Sequence, residues 1–263
     1  MASASASSDV AAAFAALADL ARRDDDILAF WRGGSRGKGR ATVHSDFDCA
    51  MVVRDEARGA FAARYGRAGQ VPLDCAVFGL AEFEAYAAWG SPEAWDRYSF
   101  VGVTALVDKT AGRVQALIDA KGCVPADEIP AFVTARLDHF INQVYRSAKC
   151  WRDGLTLAAR LEAAEGVSPL LDVVFALHGG RLRPYPKYLA WELETWPLER
   201  LPWPTDALLA LIGEVLAEGS VGAQQRLLFD LEPSLRRERY GDILDDWGDA
   251  LGWLRTLTSV ASS

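Results

Sequence analysis

Long apolar runs, clustered cysteines and an excess of positive charge are all missing from this chain of 263 residues. No stretch approaches the roughly 18–20 uninterrupted apolar residues that a membrane-crossing helix needs, so a soluble protein without membrane contact is expected. The start, Met1 to Ser8, is a Ser/Ala tract without the basic flank and apolar core of a secretory signal, and Asp9, Asp19, Arg22 and Arg23 interrupt the segment after it. A cytoplasmic location is the expectation. The four cysteines, Cys49, Cys75, Cys123 and Cys150, form no CxxC pair and have no histidine at ligand spacing. That pattern suggests neither a zinc site nor a disulfide framework and predicts buried thiols in a reducing compartment. The three histidines, His44, His139 and His178, also lack ligand spacing and are expected to be structural or surface groups. With 28 Lys and Arg against 36 Asp and Glu, the net charge is -8. Broad nonspecific binding to nucleic acid, which depends on many cations displacing phosphate counterions, is therefore disfavoured.

What is present is the composition of a folded globular chain, 51% apolar and 24% charged, long enough for two modest domains. Val10 to Arg23 reads as a helix after a frayed start. Ile27 to Trp31 is a strand that enters a glycine turn, and Asp46 to Val53 is a second strand. Ala57 to Tyr65 is helical, Val71 to Phe78 is a third strand, and Leu80 to Trp89 is again helical. Phe100 to Val107 is a further strand and Thr110 to Ala120 a helix. From Ile129 onward the texture is helical throughout. Phe132, Val133, Leu137, Phe140, Ile141, Val144 and Ala148 form an amphipathic stripe. Further helices are expected at Leu155–Ala164, Pro169–Leu177, Lys187–Glu192, Thr205–Ala217, Gly222–Leu231 and Tyr240–Leu257. The fold class is thus α+β, with a mixed sheet and flanking helices over residues 1–124 and an all-helical domain over residues 125–263. The nine tryptophans are assigned to core and interdomain packing.

The informative segment is Gly33-Gly34-Ser35, ten residues, then Asp46-Phe47-Asp48 leading into Cys49-Ala50-Met51-Val52-Val53. Strand alternation sends Asp46 and Asp48 to one side and Phe47, Cys49, Met51 and Val53 to the other. Two carboxylates about 5–7 Å apart at the start of a buried strand repel each other. A hard divalent cation is the natural compensation, because Mg²⁺ takes oxygen ligands and shares its remaining positions with substrate phosphates. The Gly34-Ser35 turn is complementary, since glycine admits close backbone approach and the N–H groups of such a turn bind phosphate oxygens.

On Gly34, Ser35, Asp46 and Asp48 the chain resembles the polymerase β-like nucleotidyltransferase superfamily, whose hallmark is a Gly-Ser pair followed by Asp-x-Asp. The resemblance implies a third carboxylate on a later strand, which Asp74 in Leu73-Asp74-Cys75-Ala76-Val77-Phe78 offers. It also implies that the helical half accompanies the catalytic domain, as in small-molecule, antibiotic-modifying relatives, with a lysine reaching the triphosphate. Lys149 and Lys187 are the candidates. Arg36, Lys38 and Arg40, in the loop between the two parts of the motif, are expected to neutralise phosphate charge.

The implied reaction is in-line attack by an acceptor hydroxyl on the α-phosphate of an NTP, ATP being the expected nucleotide, with pyrophosphate leaving. Two Mg²⁺ ions roughly 3.5–4 Å apart would be held by Asp46, Asp48 and Asp74, with general base as the alternative role for the last. The acceptor implied is a small hydroxyl compound of aminoglycoside or lincosamide type. A tRNA end or a protein side chain, as in toxin-type relatives, is the alternative acceptor, and a non-catalytic nucleotide-binding module is the second class.

Overall fold

The computed structural model describes residues 2–66 and 73–257, with side chains from residue 10. The chain divides into two compact units, Met1–Val124 and Pro125–Ser263. The first is α+β. Its elements are α1 (Ala2–Arg23), β1 (Ile27–Arg32), α2 (Gly34–Gly37), β2 (Asp48–Val53), α3 (Arg58–Tyr65), β3 (Asp74–Gly79), α4 (Leu80–Ala85), β4 (Ala105–Asp108) and α5 (Arg113–Lys121), with 3-10 turns at Asp55–Ala57 and Ala94–Phe100.

The four strands form one sheet in the order β3-β2-β1-β4. β1 is antiparallel to both neighbours, and β2 runs parallel to β3. Both faces are covered, so the strands read as nearly continuous apolar runs. On one face Ile27, Phe30, Cys49, Met51, Val53 and Val77 pack with Phe14, Leu17 and Ala21 of α1. Burying Phe14 and Leu17 contributes roughly 2 kcal/mol apiece. On the other face Ala29, Trp31, Ala50 and Val52 meet Phe83 of α4, Phe100, and Val114 and Ile118 of α5. A register shift between Ile27 and Ala29 changes the strand's parity, which is why Ile27 and Phe30, three residues apart, share a face.

The second unit contains α6 (Ile129–Arg152), α7 (Thr156–Ala176), α8 (Leu189–Thr195), α9 (Thr205–Glu218), α10 (Val221–Phe229), α11 (Glu232–Arg237), α12 (Gly241–Asp246) and α13 (Gly248–Thr256). The α6 stripe is buried as its periodicity predicts, from Val133 through Ala148. The cross-helix bonds Arg146 to Glu162 and Gln143 to Glu165, with the ion pair Arg136 to Asp172, step in opposite directions along the two chains, so α6 and α7 are antiparallel.

Several boundaries differ from expectation for local reasons. α7 continues through Pro169, where two helices were expected. Leu170 to Ala176 are all buried, and packing on every side outweighs the lost N–H and the ring's clash with the preceding turn. Tyr240–Leu257 divides at Trp247, followed by Gly248 at φ +41. The strand expected over Phe100–Val107 starts only at Ala105, because Phe100 closes a 3-10 turn and Gly102 has φ +70. α4 stops at Ala85, before the left-handed Ala87. β3 starts at Asp74; the expected start, Val71 and Pro72, lies outside the described residues. α1 begins at Ala2, where fraying was expected. Cys49 and Cys75 are buried as expected, but Cys123 and Cys150 are only half-buried. Trp95 and Trp196 are 73% and 51% exposed, so not every tryptophan is in a core. Among the described residues no helix is long and apolar enough to cross a membrane.

Candidate active site

β1 delivers the chain to a sharp bend beside the start of β2. The Gly33 N–H donates to the Asp48 carbonyl at 2.9 Å, holding the two segments together just past the ladder. Gly34 comes next with φ +57 and opens the four-residue α2. A Cβ on Gly34 would lie 1.7 Å from Asp48 Oδ2 and 2.6 Å from its Cγ, so the carboxyl group occupies the space a side chain would take. Glycine is thus required twice at this position, for backbone conformation and for room.

Asp48 and Asp74 are register partners on the parallel strands β2 and β3. Alternation puts Asp48 on the face of Ala50 and Val52, and Asp74 on the face of Ala76 and Phe78, all of which belong to the cluster around Phe83. Adjacent strands lie about 4.8 Å apart, so two acidic residues occupy neighbouring positions on one face, at the end of the sheet where the glycine bend meets Asp48. Their partners one residue on, Cys49 and Cys75, face the opposite cluster. A hydrogen bond with Cys75, then burial and the negative charge of Asp48 and Asp74, push the Cys49 thiol far above the usual range. Cys49 is therefore a neutral packing group rather than a nucleophile.

Asp46 stands outside the ladder. β2 begins at Asp48, two residues later than expected, because β1 ends at Arg32 and the chain turns away at Gly33, so β1 offers Asp46 no partner. The Ser45 and Asp46 carbonyls are taken instead by Arg36, whose Nε donates to both at 3.2 Å and whose Nη2 donates to Ser45 at 3.0 Å. The Arg36 guanidinium also lies 3.9 Å from the Phe47 ring centroid. The loop tip closes on itself through Thr42 N–H to Ser45 Oγ at 2.8 Å and Ser45 N–H to the Thr42 carbonyl at 3.1 Å. Asp46 itself is exposed. Among the described residues no three His, Cys, Asp or Glu side chains gather into a preformed metal-binding group.

The remaining expected residues are spread over both units. Ser35 is half-buried, and its carbonyl accepts the Arg40 N–H at 2.7 Å. Lys38 donates to the Val101 carbonyl at 2.5 Å and sits 4.5 Å over the Tyr98 ring, fastening the loop to the 3-10 turn of its own unit. Arg40 is exposed. Lys149, half-buried on α6, lies 5.2 Å over Tyr145, and the exposed Lys187 lies 4.9 Å over Tyr188; both belong to the second unit. The Arg36 bracket and the Lys38 tether escaped sequence reasoning. The aromatic Phe47 between the two aspartates, within reach of a nearby arginine, was the available signal.

The donor type fits a hard divalent cation, since Asp48 and Asp74 are carboxylates at paired register positions and the bend leaves Asp48 the space that a Cβ would fill. Compared with known proteins, the chain matches no family model and no curated sequence.

Proposed function

We propose that the chain is a magnesium-dependent nucleotidyltransferase that moves a nucleoside monophosphate from an NTP, ATP in the first instance, to a hydroxyl of a small-molecule acceptor of aminoglycoside or lincosamide type. The observation that carries this reading is the Gly34 bend packed against the Asp48 carboxylate with Asp74 in register beside it. Asp46, Asp48 and Asp74 would hold the metal. Bound magnesium supplies neutralisation of phosphate charge and a lowered barrier to nucleophilic attack.

The chain's own residues have separable tasks in this reading. Gly34 keeps the backbone close enough for the Gly34-Ser35 N–H groups to meet phosphate oxygens, and any side chain there would displace Asp48. As the alternative to holding the metal, Asp74, on the edge strand, would take the acceptor's proton as the acceptor oxygen attacks the α-phosphorus and the bond to the pyrophosphate oxygen breaks. The four free cysteines, two of them facing each other on adjacent strands without a bond, favour a reducing, cytoplasmic setting.

Incubation with Mg²⁺, labelled NTPs and a panel of aminoglycosides and lincosamides tests the assignment. Label on a drug, lost in Asp48→Asn, is the expected result. Label on tRNA or protein transfers the chemistry to the toxin-type acceptor class. Tight NTP binding with no transfer to any acceptor refutes the enzyme and supports a regulatory module.

A further inference from the structure

Arg36 belongs to the helical turn just after the glycine bend, yet its donors point back at the loop. Nε and Nη2 together bind the carbonyls of Ser45 and Asp46, the two residues immediately before Phe47 and Asp48. Its flat face covers Phe47 at 3.9 Å, and Phe47 in turn lies 6.1 Å from Phe14 of α1. The arginine therefore caps a run of aromatic contacts that begins in the core, and its fork crosses from one part of the motif to the other. Asp46 has no β1 partner, and the fork holds its carbonyl.

We propose that Arg36 is a positioning residue for the metal site, acting through the Ser45-Asp46 peptide, and that it is not a phosphate ligand. The inference rests on the nucleotidyltransferase reading, in which Asp46 is a metal ligand. Planarity is the essential property: two carbonyls and an aromatic face are engaged at once, which a lysine ammonium cannot do although it carries the same charge. Groups that orient metal ligands typically change metal affinity by about 10–100-fold when removed.

The test is Mn²⁺ binding to the full chain without nucleotide, monitored by the loss of the free-ion paramagnetic resonance signal. The variants are Arg36→Ala, Arg36→Lys, Phe47→Leu and Asp48→Asn. Arg54→Ala, another arginine of the same unit that donates to a backbone carbonyl, is the control. Near-ultraviolet circular dichroism checks that each variant is folded.

Binding by the wild type that is lost in Asp48→Asn supports the underlying site. Arg36→Ala and Arg36→Lys should then both bind at least tenfold more weakly, Phe47→Leu should shift the same way, and Arg54→Ala should match the wild type. Wild-type affinity in Arg36→Lys would mean that charge alone suffices, and wild-type affinity in folded Arg36→Ala would mean that the bracket is irrelevant; either overturns the proposal while leaving the site intact. If Arg36→Ala fails to fold, Arg36→Lys and Phe47→Leu decide between the same outcomes. No Mn²⁺ binding by the wild type beyond that of Asp48→Asn sinks the nucleotidyltransferase reading itself.

Discussion

Replacing Gly34 with alanine tests the geometry of the bend most directly, because two separate penalties can be read from the structure and separated by controls. The first is conformational: at φ +57 an L-residue is strained by about 1–2 kcal/mol. The second is steric, since the new Cβ would be placed 1.7 Å from Asp48 Oδ2, far inside any nonbonded contact. Either the carboxyl rotates away or the bend opens, and overpacking of this kind costs about 1–3 kcal/mol. Gly39→Ala isolates the first penalty, with φ +69 and nothing within 4 Å of its Cβ. Gly33→Ala controls for the added methyl, since its Cβ would meet Asp48 Cβ at an ordinary 3.6 Å and its φ is -102. Urea unfolding should rank the losses Gly34→Ala, then Gly39→Ala, then Gly33→Ala, with about 2–5 kcal/mol for the first. In an Asp48→Ala background, Gly34→Ala should lose much of its excess over Gly39→Ala, because the carboxyl it collides with is gone. Transfer activity should vanish in Gly34→Ala and survive in Gly39→Ala. Equal stability and activity for Gly33→Ala and Gly34→Ala would refute the argument that the bend and the carboxylate share one space.

Other consequences can be measured independently. Asp74→Asn should abolish transfer while leaving the urea midpoint within a small margin of wild type, and retained turnover would remove Asp74 from the site. Arg97 is 4% exposed and donates to the carbonyls of Ala87, Ala120 and Cys123 at 2.8, 2.6 and 2.6 Å, so Arg97→Met should destabilise the chain by about 3 kcal/mol or more. A loss below about 1 kcal/mol would show that those carbonyls find other partners. His178 is held below its ordinary value first by burial, and its Nε2 accepts the Arg200 N–H, which only the neutral ring can do. Its folded value lies below its unfolded one, so its contribution to stability is present above about pH 6.5 and is lost as the pH falls through the folded value. Urea titrations between pH 7 and pH 5 should show a shallower decline in His178→Asn than in wild type, and parallel curves would contradict this account.

Local chemistry in the sequence determined a good deal. Alternation along Cys49 to Val53 specified which side chains enter the α1 cluster, and the stripe from Val133 to Ala148 specified the buried side of α6. The order of glycine bend, loop and aspartate-bearing strand was legible because each part carries its own conformational signal, from positive φ to period two. Other features belonged to tertiary structure alone. Continuity of α7 through Pro169 depended on burial from all sides, which residue propensities do not encode. The pairing of Asp48 with Asp74 is a matter of register between strands 26 positions apart, so no local pattern could specify it. The placement of Asp46 outside the ladder came from where β1 ends, and the role of Arg36 from where the loop returns. A sequence carries short-range preferences directly, whereas contacts between distant segments exist only once the chain has packed.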